Sequence, residues 1–304
     1  MLPKAPPRTG QVGFVYLPPY RVQGISVAGE QTVVQIPELD IAFDIGLCPR
    51  PALASPYVAI SHGHMDHVAG LPYYFSQRVF QKMTPGKCIC HARIAPAIQK
   101  MMAGWADLEQ QHTPHEIIPL EPEEQIEIKP NILCRGIEVS HTVPSMGYAI
   151  VERRNKLKEE LRGLPQEKLR ELREKGEDIT NQFEIPLVAY TGDTEMGPFL
   201  FRDEFALAKI VITECTFFDD DHKSRAQMGK HLHAKDIAQL LAVWQAEAVV
   251  LIHVSRRTHL GAARDQLHAI LGEEQAARVL FLMDHRTNKN RYEGQCIMAD
   301  TARV

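Results

Sequence analysis

The sequence predicts an α/β protein: two packed sheets with helices outside, and a metal site where one strand ends. Three observations lead there. The order of strand-like apolar runs and helix-like stretches suits a two-sheet sandwich. The stretch Ser61-His62-Gly63-His64-Met65-Asp66-His67 packs three imidazoles and a carboxylate into six consecutive residues after the apolar run Tyr57-Val58-Ala59-Ile60. Further ligand-type side chains then follow apolar runs at His141, Asp193 and His253.

Imidazole nitrogen and carboxylate oxygen suit Zn²⁺ and its neighbours in the first transition row. His62 and His64 alternate, so an extended backbone turns both to one side, while Asp66 and His67 belong to the turn that follows. Two ions could be served. The 304 residues, 44% of them hydrophobic, allow a sizeable core, and ligands spread from His62 to His253 must meet in one unit. A net charge of -4 argues against non-specific attraction to nucleic acid, so any such contact is local. Six scattered cysteines do not make a disulfide framework and point to a reducing, cytoplasmic compartment. The N-terminus lacks a signal-peptide core and no stretch reaches membrane-spanning length, so no membrane partner is expected.

In chain order, residues 1–20 are proline-rich (Pro3, Pro6, Pro7, Pro18, Pro19) and read as an N-terminal arm with one short strand at 11–16. Residues 21–304 then form a single domain. A β meander covers 24–28, 32–36 and 39–46, with turns at Gly29-Glu30 and Pro37. Asp44 closes it, either as a strand-end turn residue or as an acceptor supporting the histidine loop. A helix from Val68 to about Met83 tolerates Pro72 in its first turn, and its positive dipole end favours anions beside the metals. Next come a strand at 88–91, with Cys88 and Cys90 in the core, and a helix at 93–108. Strands at 116–120, 125–128 and 132–139 deliver His141, and a strand resumes at 147–151.

Residues 152–185 break the style as a charged insertion. Arg153, Arg154, Lys156, Lys158, Arg162, Lys168, Arg170 and Arg173 alternate there with acids, the pattern of a solvated helix. Strands at 186–190 and 209–213 end near Asp193 and Glu214, and an acidic loop leads to Gly229-Lys230-His231-Leu232-His233. A helix at 234–246, a buried strand at 248–253, a helix at 261–271 and a strand at 278–283 complete the reading. The polar tail beyond Asp284 carries no assigned element.

The pattern His-x-His-x-Asp-His at 62–67, followed in order by His141, Asp193 and His253, resembles the metallo-β-lactamase superfamily, with its αβ/βα sandwich. Within it, Glu214-Cys215-Thr216-Phe217, the His231 setting and Leu251-Ile252-His253-Val254-Ser255 with Arg257 resemble ribonuclease Z, the tRNA 3′-processing endonuclease. The short plant-type form is closest, through Ala42-Phe43-Asp44-Ile45-Gly46, the histidine loop and Gly70-Leu71-Pro72. The resemblance implies a zinc-dependent hydrolase that cleaves precursor tRNA as a homodimer. It places one Zn²⁺ on His62, His64 and His141, another on Asp66, His67 and His253, and Asp193 between them; Mn²⁺ or Fe would fit the same donors. Asp66 would orient the attacking hydroxide. His231 would protonate the leaving 3′ oxygen, held by Glu214 or Asp236, with His233 on the surface. Asp44 and Arg257 would support the site. The insertion at 152–185 sits where the family carries a tRNA-gripping arm.

Two departures bear on the tRNA 3′ end. The bacterial Pro-x-Lys-x-Arg-Asn loop corresponds to Gly24-Ile25-Ser26-Val27-Ala28-Gly29, which has no cation, and the tyrosine that often follows the late arginine is Thr258. Other readings of the same motifs are a hydrolase of a small phosphodiester, sulfate ester or lactone, an iron-dependent oxidoreductase, and a non-catalytic RNA-binding protein.

Overall fold

The computed structural model describes residues 12–301. The first half of the chain runs β1 (Gly13–Leu17), β2 (Tyr20–Val27), β3 (Gln31–Ile36), β4 (Ile41–Phe43), β5 (Tyr57–Ile60), α1 (Met65–Val68), α2 (Leu71–Phe80), β6 (Gly86–His91), α3 (Ala95–Glu109) and β7 (His115–Leu120). The second half begins with β8 (Gln125–Lys129), β9 (Ile132–Glu138), β10 (Met146–Leu157), α4 (Gln166–Glu174), β11 (Thr180–Tyr190), α5 (Asp203–Ala206) and β12 (Ile210–Glu214). It closes with α6 (Lys223–Gly229), α7 (Ala234–Leu241), β13 (Ala248–Ile252), α8 (Leu260–Ala276), β14 (Val279–Phe281) and α9 (His285–Thr301).

Strands β1 to β7 form one seven-stranded sheet in sequence order, and β8 to β14 form a second. Each sheet opens with antiparallel pairings and ends with parallel ones: β4 through β7 in the first, β11 through β14 in the second. No repeat is visible in the sequence, yet the architecture is doubled. The central strands are buried on both faces, and successive side chains alternate between the two. Ala59, Val250 and Ile252 enter the cluster between the sheets. Val58 and Ile60 face the helices over the first sheet, and Val249 and Leu251 face those over the second. Parallel strands need crossovers, so their C-terminal ends share an edge, the place where ligands bind in such sheets.

Several expectations are corrected. The short strand expected at 11–16 is present as β1, but it belongs to the edge of the first sheet, with Val15 and Leu17 in the inter-sheet core. The expected strand start at Gln11 and the prolines at 3, 6 and 7 lie outside the described residues. The polar tail supplies α9, which covers β1: the Tyr292 ring stands edge-on to Phe14 and Tyr16 at 5.2 and 6.3 Å. A helix held by a partner far away in sequence leaves no local apolar period to read. The helix after the metal loop is two helices, since the Gly70 N–H turns to the Ile45 carbonyl at 2.7 Å. The helix from Ala234 stops at Leu241, where the chain turns to bury Trp244 under Leu200.

The charged insertion is strand at both ends and α-helix only at 166–174. β10 and β11 continue outward as an antiparallel ribbon, paired as far as Leu157 with Thr180, and carry α4 at the tip. Five of its cations, Arg153, Arg154, Arg162, Lys168 and Arg170, pair with neighbouring glutamates. No described helix is long and apolar enough to cross a membrane.

Candidate metal centre

The C-terminal ends of β5, β9, β11 and β13 bring the candidate ligands together, with Asp44 and Glu214 at the ends of β4 and β12 behind them. The histidine loop leaves β5 and bends directly into α1, and Gly46 allows the tight fit: a Cβ there would stand 1.8 Å from the Asp66 carbonyl oxygen. His62, His64 and His141 offer ligand atoms within 4.8 Å of one another, as do Asp66, His67 and His253. Asp193 completes a third such group with His62 and His67, and a fourth with His141 and His231. One Asp193 oxygen, Oδ2, lies 3.2 Å from His253 Nε2, 3.3 Å from His67 Nε2 and 3.9 Å from His62 Nε2. Asp193 thus stands between the two sets.

The residues present fit metal ions, on the evidence of atoms left without partners. His67 Nε2, His141 Nε2 and Asp193 Oδ1 are buried and make no hydrogen bond among the described residues. Leaving such atoms unpaired is costly, and a bound cation would satisfy all three. The opposite ring nitrogens are held. His67 Nδ1 donates to Asp44 Oδ2 at 2.8 Å and His141 Nδ1 donates to the Lys230 carbonyl at 3.0 Å. Fixing one nitrogen so that the other aims its lone pair inward is the usual support of a metal-binding histidine.

Two hydroxyl relays complete that support. Asp44, fully buried, accepts from the Ser61 hydroxyl at 2.7 Å, and Ser61 Oγ lies 3.0 Å from His62 Nδ1. Glu214, also fully buried, accepts from the Thr216 hydroxyl at 2.6 Å, and Thr216 Oγ1 lies 3.0 Å from His253 Nδ1. Since each hydroxyl gives its proton to a carboxylate, its oxygen is free to accept the imidazole N–H. Each carboxylate also grips a second ring directly: Asp44 holds His67, and Glu214 Oε1 holds His231 Nδ1 at 2.9 Å.

The choice left open around His231 is therefore answered by contact with Glu214. Asp236 accepts the His233 backbone N–H at 2.9 Å instead, inside the capping box of α7. His233 is not a surface residue: it is buried as the N-cap, accepting from the Lys235 N–H at 3.1 Å. Asp66 Oδ2 accepts the Gly29 N–H at 3.0 Å, so the turn between β2 and β3 steadies it. Arg257 lies exposed in the turn after His253, and its guanidinium makes no hydrogen bond or ion pair with any described residue. Ser61, Thr216, Tyr190, Gly29 and Lys230 were not singled out from sequence; Ser61 and Thr216 carried a local signal, a hydroxyl two or fewer residues from a carboxylate or imidazole of the motifs.

The candidate RNA-contact residues are not part of this cluster but lie along the ribbon and its tip. Arg153, Arg154, Arg162, Lys168 and Arg170 pair there with Glu184, Glu152, Glu159, Glu171 and Glu174. Lys156, Lys158 and Arg173 form no ion pair among the described residues.

Charges within the cluster offset one another. Burial pushes the His62 imidazole well below its ordinary range, aided by the neighbouring His67. His67 moves the other way: burial opposes its charge, but Asp193 and Asp44 raise it well above that range. Burial raises Asp66, yet His253 and His67 overcome it and hold the carboxyl at about 2. For His231, burial lowers the imidazole, while Glu214 and then Asp193 raise it further, to about 9. A folded-state value above the ordinary 6.5 means that the charged pair stabilises the fold fully below about pH 6.5 and that this contribution is lost as pH rises through about 9. In chelator-stripped protein, imidazole NMR of His231 is expected to titrate near 9, and Glu214→Gln to bring it below 7; a value near 6.5 in both proteins would remove the pair.

No protein-family profile matches the chain. The Arabidopsis thaliana protein tRNase Z TRZ1 is 32% identical over 255 residues, spanning 83% of this chain and 91% of the relative. Among solved structures, the Bacillus subtilis metallo-β-lactamase fold protein YhfI superposes with a TM-score of 0.59 at 13% identity, over 89% of this chain and 95% of that one. The short form of human tRNase Z superposes with a TM-score of 0.53 at 16% identity, over 89% and 95% of the two chains. The two sheets with their outer helices are thus the metallo-β-lactamase αβ/βα sandwich, and by sequence the chain belongs to the ribonuclease Z family of metal-dependent hydrolases.

Proposed function

We propose that the chain is a zinc-dependent endoribonuclease that removes the 3′ trailer of precursor tRNA, working as a single domain with the ribbon as its RNA-contacting arm. The observation that carries this reading is the set of inward-facing, unpartnered ligand atoms around Asp193, flanked by a His231–Glu214 pair. Relatives bearing the tRNase Z name support the substrate.

His62, His64 and His141 would hold one ion and Asp66, His67 and His253 the other, with Asp193 shared. Five imidazoles and two carboxylates suit Zn²⁺, and would also accept Mn²⁺ or Fe. Two bound cations supply Lewis-acid polarisation of a phosphoryl oxygen and a lowered pKa for an attacking water. Asp66, ionised at neutral pH and steadied by the Gly29 N–H, accepts a proton from that water. His231, kept charged by Glu214, donates a proton to the leaving 3′ oxygen. The buried Glu214 fixes which ring nitrogen of His231 faces the substrate. Lys156, Lys158 and Arg173, free of carboxylate partners, are the ribbon cations best placed for phosphates of the tRNA body.

A homodimer fits the exposed apolar side chains Leu47, Met65, Tyr73 and Phe80, which cluster in the segment carrying the histidine loop and α2. Free thiols at all six cysteines fit a cytoplasmic setting. Sedimentation is expected to give twice the chain mass, and Tyr73→Glu with Phe80→Glu to give the monomer; a monomeric wild type contradicts the pairing.

Purified, Zn²⁺-loaded protein should cut an end-labelled precursor tRNA once, just after the discriminator nucleotide. Asp66→Ala and His231→Ala should each lower the rate about 100-fold or more, the latter with its metal retained. Replacing residues 157–180 by an Asn-Gly turn should raise KM for tRNA about tenfold while leaving hydrolysis of a small chromogenic phosphodiester intact. Intact tRNA beside rapid hydrolysis of the small ester would keep the metal site and overturn the substrate.

A further inference from the structure

Lys230 occupies a backbone position that suits glycine. It follows the last residue of α6 at φ 52 and ψ 55, where its N–H closes the helix onto the Ala226 and Gln227 carbonyls. A side chain is crowded in this left-handed conformation, and glycine is the ordinary solution at a helix end. The chain does carry a glycine, but one residue too early. A Cβ on Gly229 would lie 2.9 Å from His231 Cδ2, so that glycine makes room for the imidazole and the strained position falls to a lysine.

The lysine's head is held where three loops of the site meet. Its Nζ lies 3.0 Å from Ser140 Oγ and 2.8 Å from Glu195 Oε1, and Ser140 Oγ donates to the same carboxylate oxygen at 2.5 Å. Ser140 precedes His141, Glu195 stands two residues beyond Asp193, and Lys230 itself precedes His231 while its carbonyl accepts from His141. The Lys230 and Glu195 side chains are each 37% exposed, so their ion pair is the weak, exchangeable kind. Backbone strain kept at the edge of a reactive site, and spent on an exposed cation, points to a use for that cation.

Resting on the RNA-cleaving reading, we propose that Lys230 is a phosphate anchor: its ammonium exchanges Glu195 for a backbone oxyanion next to the scissile linkage. The remainder of the cluster is imidazole and carboxylate, so this lysine adds an ammonium whose place does not depend on bound metal. A compact ammonium on a flexible stem suits a phosphate that arrives from solvent. Lys230 is therefore a binding residue, distinct from His231, which acts on the leaving group.

The test compares the metal-loaded wild type with Lys230→Gly and Lys230→Arg. Glycine removes the cation and relaxes the backbone, so the melting temperature should rise by about 2 °C. Binding of a precursor tRNA whose bridging 3′ oxygen at the cleavage site is replaced by a methylene group, so that the linkage cannot be hydrolysed, should weaken roughly tenfold. The slope of log affinity on log salt should flatten by about 0.8. Arginine should restore affinity and slope. Inorganic phosphate, followed by its ³¹P line, should also bind Lys230→Gly more weakly. A Lys230→Gly protein with wild-type salt slope and phosphate affinity overturns the anchor and leaves Lys230 a loop staple. Should the wild type ignore precursor tRNA while Lys230→Gly still loses phosphate affinity, the anchor stands and the RNA reading falls.

Discussion

The metal centre depends on one buried carboxylate, Asp44. It stands at the end of β4 in a left-handed backbone conformation, φ 57, with no exposed surface. Four donors converge on it: the Ser61 N–H at 2.6 Å, the Ser61 hydroxyl at 2.7 Å, His67 Nδ1 at 2.8 Å and the Tyr190 hydroxyl at 2.5 Å. A buried charge with this many partners is stable, whereas losing the carboxylate would strand its donors at a cost of several kcal/mol. Because Tyr190 belongs to the second sheet and His67 to the loop of the first, closing the sandwich and aiming the imidazoles are one event. The Tyr190 ring stacks on Phe43 at 4.7 Å beneath the same carboxylate.

Glu214 repeats the arrangement on the second sheet. Each carboxylate ends a strand, holds one ring directly and reaches another through a hydroxyl: Asp44 to His67 and, by Ser61, to His62; Glu214 to His231 and, by Thr216, to His253. The doubled sheet topology thus has a counterpart in the polar network behind the site. The two halves differ in setting. The ring gripped by Asp44 lies 3.3 Å from Asp193, whereas the ring gripped by Glu214, despite burial, is raised to about 9 by that carboxylate.

Much of this was legible in the sequence because ligand chemistry and strand alternation are local signals. The run from His62 to His67, and the apolar strands ending near Asp193 and His253, announce themselves by residue type alone. What stayed hidden depends on partners distant in the chain. Asp44 reads equally well as a turn residue until Tyr190 and His67 are brought to it. Asp236 rivals Glu214 until the capping box claims it. The tail beyond Asp284 forms α9 because β1, at the other end of the chain, offers it a surface. The charged insertion has helical charge spacing along much of its length, but strand pairing extends from the core into it and confines the helix to α4. Lys230 was unreadable because its conformation is imposed by the room that His231 needs.

We propose that these two supported clusters hold two ions about a shared Asp193. Anomalous diffraction at the zinc edge, on crystals of the Zn²⁺-loaded protein, should show two peaks, one among His62, His64 and His141 and one among Asp66, His67 and His253, with Asp193 reaching both. A single peak, or a second one held by Glu214 and His231, would contradict it.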